Sequence, residues 1–133
     1  LFGTASDDGT AVLWETSSAE AVRRLEGHTA AVTDITFHPT LDEVATASAD
    51  GTIKLWSTTS GANVLTLPAG GHVARIGYAH DGRFLAVIFT DGDSTVFALS
   101  RDELLDRARE LVVGELSAAD CARYLPTLPC PTV

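Results

Sequence analysis

Several residue types are scarce in this chain of 133 residues, and each scarcity excludes a class of protein. Lysine and arginine together number 9 against 18 acidic residues, which leaves a net charge of −9. Nucleic-acid binding needs a basic surface that contacts phosphates, so neither nucleic acid nor an acidic membrane surface is an expected partner. No apolar run approaches the roughly 18 residues that a membrane-spanning helix requires.

Methionine is absent, and cysteine occurs only twice. Because no initiator is present and Leu1 falls inside a repeated segment, we expect this chain to be the carboxy-terminal piece of a longer protein. Arginine outnumbers lysine eight to one, a composition that suggests a GC-rich bacterial genome. Cys121 and Cys130 are too few for a disulfide framework. Two ordinary thiols are expected, and a single bridge within the tail is the alternative.

Two segments of the chain are near copies of each other. Residues 3–14 read GTASDDGTAVLW and residues 45–56 read ATASADGTIKLW, so that Trp14 and Trp56 end the two copies. A weaker third copy follows, in which Phe97 takes the place of Trp56 and Asp91 that of Asp50. A period in the range of about 20 to 50 residues indicates that one structural unit is stacked several times.

Each copy alternates short β-rich runs with turn residues. In the second copy the Asp50-Gly51 pair predicts a hairpin turn, since glycine supplies the left-handed backbone that tight turns need. The alternation predicts four strands, at 32–37, 43–47, 52–56 and 63–67. Four short antiparallel strands per repeat are typical of a β-propeller blade. The predicted fold class is therefore all-β, a partial propeller with a short helical tail.

The repeat also predicts the boundaries of about two and a half blades. Residues 1–26 form a partial blade that lacks its first strand, residues 27–68 a complete blade, and residues 69–99 a blade that lacks its last strand. Residues 100–133 are predicted to form the helical tail, which Ser100 and Glu103 begin as a capping box. Both ends of the array would then expose unpaired strand edges.

These features resemble the WD-repeat family of β-propellers. The marks of that family are a Gly-His pair and, about 25 to 30 residues later, a Trp-Asp or similar pair that closes the third strand. In this chain Gly27-His28 precedes Trp56-Ser57, Gly71-His72 precedes Phe97-Ala98, and the first copy ends at Trp14-Glu15. The tail is similar to the segment that follows the last blade in bacterial WD-repeat proteins, including those that carry a signalling NTPase of the STAND class.

His28, Ser48 and Asp50 are the residue types of a Ser-His-Asp triad, so a propeller hydrolase is one interpretation. The repeat favours a structural interpretation, because a catalytic site is rarely needed once per blade. The resemblance implies a buried chain in which Trp56 donates to Ser48, Ser48 engages His28, and Asp50 orients the imidazole. The other expected members of such networks are Ser6, Asp8, Trp14, His72 and Asp91. No catalytic residue, metal ligand or cofactor is expected.

The resemblance implies a rigid disc that binds protein partners on the face that carries the Asp-Gly turns. The exposed positions expected on that face are Asp7, Ala31, Thr33, Ala49, Ala74 and Thr90. The expected function is a non-catalytic protein-interaction scaffold in a cytoplasmic bacterial signalling protein, completed by the remaining blades of the parent chain. The alternative is a regulatory segment that inhibits an upstream NTPase, kinase or protease.

Overall fold

The computed structural model of the protein describes residues 1–99, which contain ten β-strands. The strands are β1 (Phe2–Ala5), β2 (Thr10–Trp14), β3 (Ala21–Glu26), β4 (Val32–Phe37), β5 (Glu43–Ser48), β6 (Thr52–Ser57), β7 (Asn63–Pro68), β8 (Val73–Tyr78), β9 (Phe84–Phe89) and β10 (Ser94–Ala98). In this part of the chain no helix has the length and apolar character needed to cross a membrane. The predicted tail, with Ser100, Glu103, Cys121 and Cys130, lies outside the described residues.

The strands form three antiparallel sheets, which we call the first blade (β1–β3), the second blade (β4–β7) and the third blade (β8–β10). The second blade has four strands in sequence order, and the others have three each. The predicted all-β fold, a partial propeller, is confirmed. The strands predicted for the second copy end within one residue of the observed ones, because alternating side chains and Asp-Gly turns specify them locally.

The register of the sheets repeats along with the sequence. Val32 lies opposite Ser48 in the second blade, and at the equivalent positions of the third blade Val73 lies opposite Phe89. The register shifts at the same place in each pair, directly after these valines. A shared bulge is stronger evidence than strand order alone that the second and third blades are equivalent, because a bulge changes the direction in which the following side chains point.

Three hairpin turns lie at the same end of the three sheets, and each contains a glycine with positive φ. Gly9, Gly51 and Gly92 follow an aspartate and have φ values of 85°, 82° and 95°. Only glycine adopts this region without a steric penalty from Cβ, so each Asp-Gly pair reverses the chain tightly.

The hydrophobic core lies between the sheets rather than within one of them. Between the first and second blades, Leu13 and Leu25 pack with Val44 and Trp56, all at most 3 % exposed. Between the second and third blades, a further cluster packs together; it comprises Ala45, Ala47, Ile53, Leu55, Val73, Ile76, Leu85 and Val87. Each face of the second blade is therefore buried by a neighbouring sheet.

A polar contact also joins the second and third blades, at the end of the sheets away from the hairpin turns. Nε2 of His38 lies 3.2 Å from the carbonyl oxygen of Gly82, and its Nδ1 accepts the backbone N–H groups of Thr40 and Leu41. The His38 ring also meets the ring of Tyr78 edge-on, with centroids 4.8 Å apart. The imidazole therefore fills the space that a side chain at Gly82 would need.

Candidate functional site

A buried chain of hydrogen bonds runs through the second blade. The indole N–H of Trp56 donates to Oγ1 of Thr46 at 2.8 Å, and Oγ1 of Thr46 lies 2.8 Å from Nε2 of His28. Nδ1 of His28 lies 2.9 Å from Oδ2 of Asp50. With the proton on Nδ1, the imidazole donates to Asp50 and accepts from the Thr46 hydroxyl, so every group has a partner. A fully satisfied buried chain of this kind stabilises one register of the strands.

Asp50 is the terminus of this chain and the anchor of the hairpin turn. Its Oδ1 accepts the N–H and the hydroxyl of Thr52 at 2.8 and 2.6 Å, and its Oδ2 accepts the N–H of Thr29 at 3.0 Å. Burial raises the pKa of Asp50, but the hydrogen bonds from Thr52, Thr29 and His28 outweigh it and hold that pKa well below the usual value. The carboxylate therefore stays ionised although its side chain is only 8 % exposed.

Ser48 does not belong to the chain, which corrects the sequence prediction. Its hydroxyl donates to the carbonyl oxygen of Ala30 at 3.1 Å and accepts the N–H of Asp50 at 3.0 Å. The predicted link between Trp56 and His28 is made by Thr46 instead. Thr46 and Ser48 lie on the same face of β5, so the position of the Trp56 indole determines which of the two hydroxyls accepts its N–H. The three residues His28, Ser48 and Asp50 consequently do not assemble a Ser-His-Asp triad.

The first blade keeps part of the same arrangement. The indole N–H of Trp14 donates to Oγ1 of Thr4 at 2.9 Å, as Trp56 donates to Thr46. Asp8 accepts the N–H and hydroxyl of Thr10 at 2.9 and 2.6 Å, and Ser6 accepts the N–H of Asp8 at 3.3 Å. Hydrogen bonds from Thr10 lower the pKa of Asp8, which is exposed. Trp14 and Asp8 thus hold equivalent places, while Ser6 repeats the turn role of Ser48.

In the third blade no such chain is formed among the described residues, which corrects the placement of His72. Val87 and Phe97 replace Thr46 and Trp56 at the equivalent positions, and neither side chain forms hydrogen bonds. His72 precedes Val73 directly and is exposed, whereas residues 29–31 separate His28 from β4. Among residues 1–99, Asp91 accepts one hydrogen bond, from the N–H of Asp93 at 3.0 Å.

His72 is instead the equivalent of Ala31. Its carbonyl oxygen accepts the N–H of Thr90 at 3.0 Å, as the carbonyl oxygen of Ala31 accepts the N–H of Ala49 at the same distance. The Gly-His pair therefore stands closer to β8 in the third blade than to β4 in the second, and an alignment on the Gly-His pairs misplaces the histidine. The structure thereby moves His72 from the predicted network to the surface.

The predicted partner-binding positions lie at the end of the sheets that carries the hairpin turns. Asp7, Thr33 and Thr90 are exposed, and Ala31, Ala49 and Ala74 are partly buried. With His72 added, we call these seven residues the loop face. The backbone beneath it is continuous between blades, since the N–H of Val32 donates to the carbonyl oxygen of Ser6 at 3.0 Å.

Thr33 differs from the other loop-face residues because its hydroxyl is engaged. Oγ1 of Thr33 donates to the carbonyl oxygen of Val73 at 2.7 Å and approaches that of Ala47 at 3.3 Å. It therefore links the second blade to the third. A substitution at Thr33 changes this joint as well as the surface.

A shallow depression of about 440 Å³ lies at the edge of the loop face, between the second hairpin turn and the loop that leads to β8. Its lining residues are Ala49, Asp50, Gly51, Thr52, Pro68, Gly70, Gly71 and His72. Three of these residues are glycines, so backbone atoms contribute much of the lining. The depression is open, whereas small-molecule sites are clefts that enclose most of the surface of the ligand.

Sequence reasoning missed Thr46, Thr52 and Thr4 as members of the hydrogen-bonded sets. A signal was present in the repeat, because Thr4 and Thr10 of the first copy recur as Thr46 and Thr52 in the second. The serines at 6 and 48 recur in the same way, so recurrence alone could not decide which hydroxyl meets the tryptophan.

Comparison with known families places part of the second blade in a known repeat. Residues 19–57 match the WD domain, G-beta repeat family. The matched segment begins before β3 and ends with β6, and it includes His28, Thr46, Asp50 and Trp56. The match supports a WD-repeat family for this chain. No curated protein matches the chain.

Proposed function

We propose that residues 1–99 act as a non-catalytic protein-interaction platform, with the loop face as the binding surface. This proposal depends on one observation, the buried contact between two side chains that lies beneath that surface. The hairpin turn at Asp50 and the loop at His28 are joined by a buried carboxylate-imidazole contact, so the surface above them is rigid. A pre-organised surface loses little conformational entropy on binding, which favours association.

The geometry of the candidate triad supports the non-catalytic assignment. A serine nucleophile needs a base within hydrogen-bond reach, and in this structure Nε2 of His28 is occupied by Thr46. Ser48 is buried and directs its hydroxyl to the carbonyl oxygen of Ala30. We expect purified protein to show no ester hydrolysis that depends on Ser48, and loss of such an activity in Ser48→Ala with the fold intact would contradict the proposal.

The depression beside Ala49 is the part of the loop face that we propose to receive a partner side chain. A site-specific photo-crosslinking residue placed at Thr90 or His72 should capture a protein partner from the source organism. The matched control is the same residue at Thr40, which is exposed in the turn between β4 and β5 at the opposite end of the sheet. Equal capture at Thr40 would reject the loop face.

Substitution gives an independent test of the same surface. Ala49→Trp fills the depression and should abolish capture, whereas Thr40→Trp should leave it unchanged. At Thr33, Thr33→Val removes only the hydroxyl contact with Val73, and Thr33→Trp also adds bulk above the surface. If the partner is still captured with Thr33→Val but not with Thr33→Trp, the loss results from bulk on the binding surface and not from the broken contact between the blades.

We also propose that the platform belongs to a cytoplasmic bacterial signalling protein, in which further blades of the parent chain complete the propeller. The excess of arginine over lysine and the resemblance of the tail support this assignment. The sequence upstream of Leu1 tests it: additional repeats would support a scaffold, and a phosphate-binding loop or kinase motif would favour the regulatory alternative.

A further inference from the structure

The depression on the loop face is bordered by residues of two kinds, small uncharged ones and carboxylates. It lies between the second hairpin turn, which contains Asp50, and the loop that ends at His72. Apart from Asp50, Thr52 and His72, its lining residues are glycine, alanine and proline. A surface of this composition makes van der Waals contact with an apolar stem, while a carboxylate attracts a cation.

The hairpin turn of the third blade, at Gly92, lies beside this depression. The N–H of Thr90 donates to the carbonyl oxygen of His72 at 3.0 Å, and His72 belongs to the lining. Asp91 and Asp93 follow Thr90 directly in the turn, and both are exposed. One carboxylate therefore lines the depression, and two more lie on the adjacent turn.

The third hairpin turn differs from the other two in its charge. In the first and second blades a threonine stands two residues after the turn aspartate and donates its hydroxyl to that carboxylate. In the third blade Asp93 takes the place of this threonine, and only its N–H is donated to Asp91, at 3.0 Å. Two like charges in one turn repel each other, so a cation beside them is favourable.

The charge of the surrounding loops is also negative. Five loops form this end of the sheets: residues 6–9, 27–31, 49–51, 69–72 and 90–93. They contain aspartates but neither lysine nor arginine. On the strands, Arg24 is paired with Asp8 at 3.6 Å, and within residues 1–99 neither Lys54 nor Arg75 forms an ion pair. A cationic group on a partner would therefore be complementary to this surface.

We propose that the depression binds an arginine side chain of a partner protein, with its methylene stem against the small lining residues and its guanidinium group beside Asp91 and Asp93. Arginine fits better than lysine, because the guanidinium group is more weakly hydrated and pairs with carboxylates through two parallel hydrogen bonds. The inference rests on the proposed function, since it takes the loop face as the binding surface, and it adds the chemistry of the partner.

A titration of the full chain followed by nuclear magnetic resonance tests the proposal. The probe is the peptide GARAG, acetylated and amidated, and the comparison peptide carries citrulline, which keeps the length of arginine without its charge. At low ionic strength the arginine peptide should shift the backbone amide resonances of Gly51, Gly70 and Gly71 in a saturable way. The citrulline peptide should bind about fivefold more weakly. Equal affinity of the two peptides, or no shift with either, would overturn the proposal.

Variants that remove one charge locate the binding site. Asp91→Asn and Asp93→Asn should each weaken binding of the arginine peptide about twofold. The matched controls are Asp42→Asn and Asp81→Asn, which remove the same charge from exposed positions in turns at the opposite end of the sheets. These controls should bind the peptide as the unchanged chain does. Equal losses in both pairs would overturn the proposal, because the peptide would then respond only to the net charge of the chain.

Ala49→Trp separates the depression from the charge around it. The indole fills the depression while every aspartate stays in place, so binding of the arginine peptide should be lost at unchanged net charge. Binding that persists in Ala49→Trp would overturn the proposal. Photo-crosslinking at Thr90 distinguishes this failure from failure of the proposed function. A partner that is captured equally well by the unchanged chain and by the double variant Asp91→Asn, Asp93→Asn would reject the arginine and retain the loop face.

Discussion

Oγ1 of Thr46 accepts the indole N–H of Trp56 at 2.8 Å in the interior between two blades, where neither residue exceeds 3 % exposure. The same hydroxyl lies 2.8 Å from His28, so one oxygen links the core to the loop face. Removal of this oxygen leaves an indole N–H without a partner and away from water. We therefore expect the link to contribute to the stability of the second blade and to the rigidity of the proposed binding surface.

Thr46→Val should lower the free energy of unfolding by about 2 kcal/mol, the scale for an unsatisfied buried donor. Valine has nearly the shape of threonine, so the loss isolates the hydroxyl. The equivalent change in the first blade, Thr4→Val, is the control, because Trp14 is only partly buried and its N–H is closer to solvent. Urea unfolding of both variants measures the difference. Equal losses at Thr4 and Thr46 would contradict the special role of the buried chain.

Acid should destabilise the protein through Asp50. Its pKa in the folded state lies below the unfolded value of about 3.9, so the stability that it contributes is present above that value and is lost as the pH falls toward the folded pKa. Asp50→Asn should therefore be less stable at pH 7 and should lose less stability than the unchanged chain between pH 5 and about pH 3.

Urea unfolding across that pH range makes the measurement. Asp91→Asn is the control, since the carboxylate of Asp91 is exposed in the equivalent turn and accepts one hydrogen bond from the part of the chain that the structure describes. It should retain the pH dependence of the unchanged chain. If Asp50→Asn retains it as well, other carboxylates dominate acid unfolding.

Ala19→Gly should stabilise the chain by about 0.5–1 kcal/mol, because a residue with Cβ in the left-handed region is strained by roughly 1–2 kcal/mol, part of which glycine loses in backbone entropy. Ala19 has a φ of 56°, and its equivalent in the second blade is Gly61, with a φ of 75°. The N–H of Ala19 donates to the carbonyl of Glu15 at 2.8 Å, and Gly61 makes the same bond in its own turn. Ala62→Gly, at an exposed position without positive φ, should instead destabilise. Thermal unfolding of both variants gives the two signs.

Gly82→Ala should destabilise by more than Gly92→Ala, although both glycines have positive φ, of 71° and 95°. A Cβ at Gly82 would overlap the ring of His38, whereas a Cβ at Gly92 would meet no atom of residues 1–99 within 4 Å. The change at Gly92 therefore reports the backbone cost alone, about 1 kcal/mol. Gly82→Ala should add the loss of the His38 contact with the third blade. The double variant with His38→Ala should recover part of the excess in urea unfolding, and no recovery would contradict the overlap.

The strands and hairpin turns of residues 1–99 were predictable because they depend on neighbours along the chain. Alternating side chains specify β4, and an aspartate followed by glycine specifies each hairpin turn. The repeat then allowed the strands and turns of one blade to be assigned to the other two. The resemblance to the WD-repeat family, and not the repeat itself, implied that Trp56, Ser48, His28 and Asp50 form one buried chain of hydrogen bonds.

The identity of the linking hydroxyl was not predictable. In a strand the side chains of Thr46 and Ser48 point the same way, so a pattern of period two treats them alike. The pairing of Val44 with Trp56 places the indole beside Thr46, while the carbonyl of Ala30 occupies Ser48. The place of His72 could have been read from the sequence, because the offset that places Phe97 on Trp56 and Asp91 on Asp50 also places His72 on Ala31 and not on His28. The pairing of β8 with β9 agrees with that offset.

The sequence by itself therefore determined the repeating unit, its strands and its turns, because these follow from backbone preferences and side-chain alternation over a few residues. The tertiary structure alone decided which hydroxyl completes the buried chain and which apolar faces have no covering sheet within residues 1–99. Each of these depends on distances between segments that are far apart in the chain. Such distances arise only when the blades pack against one another.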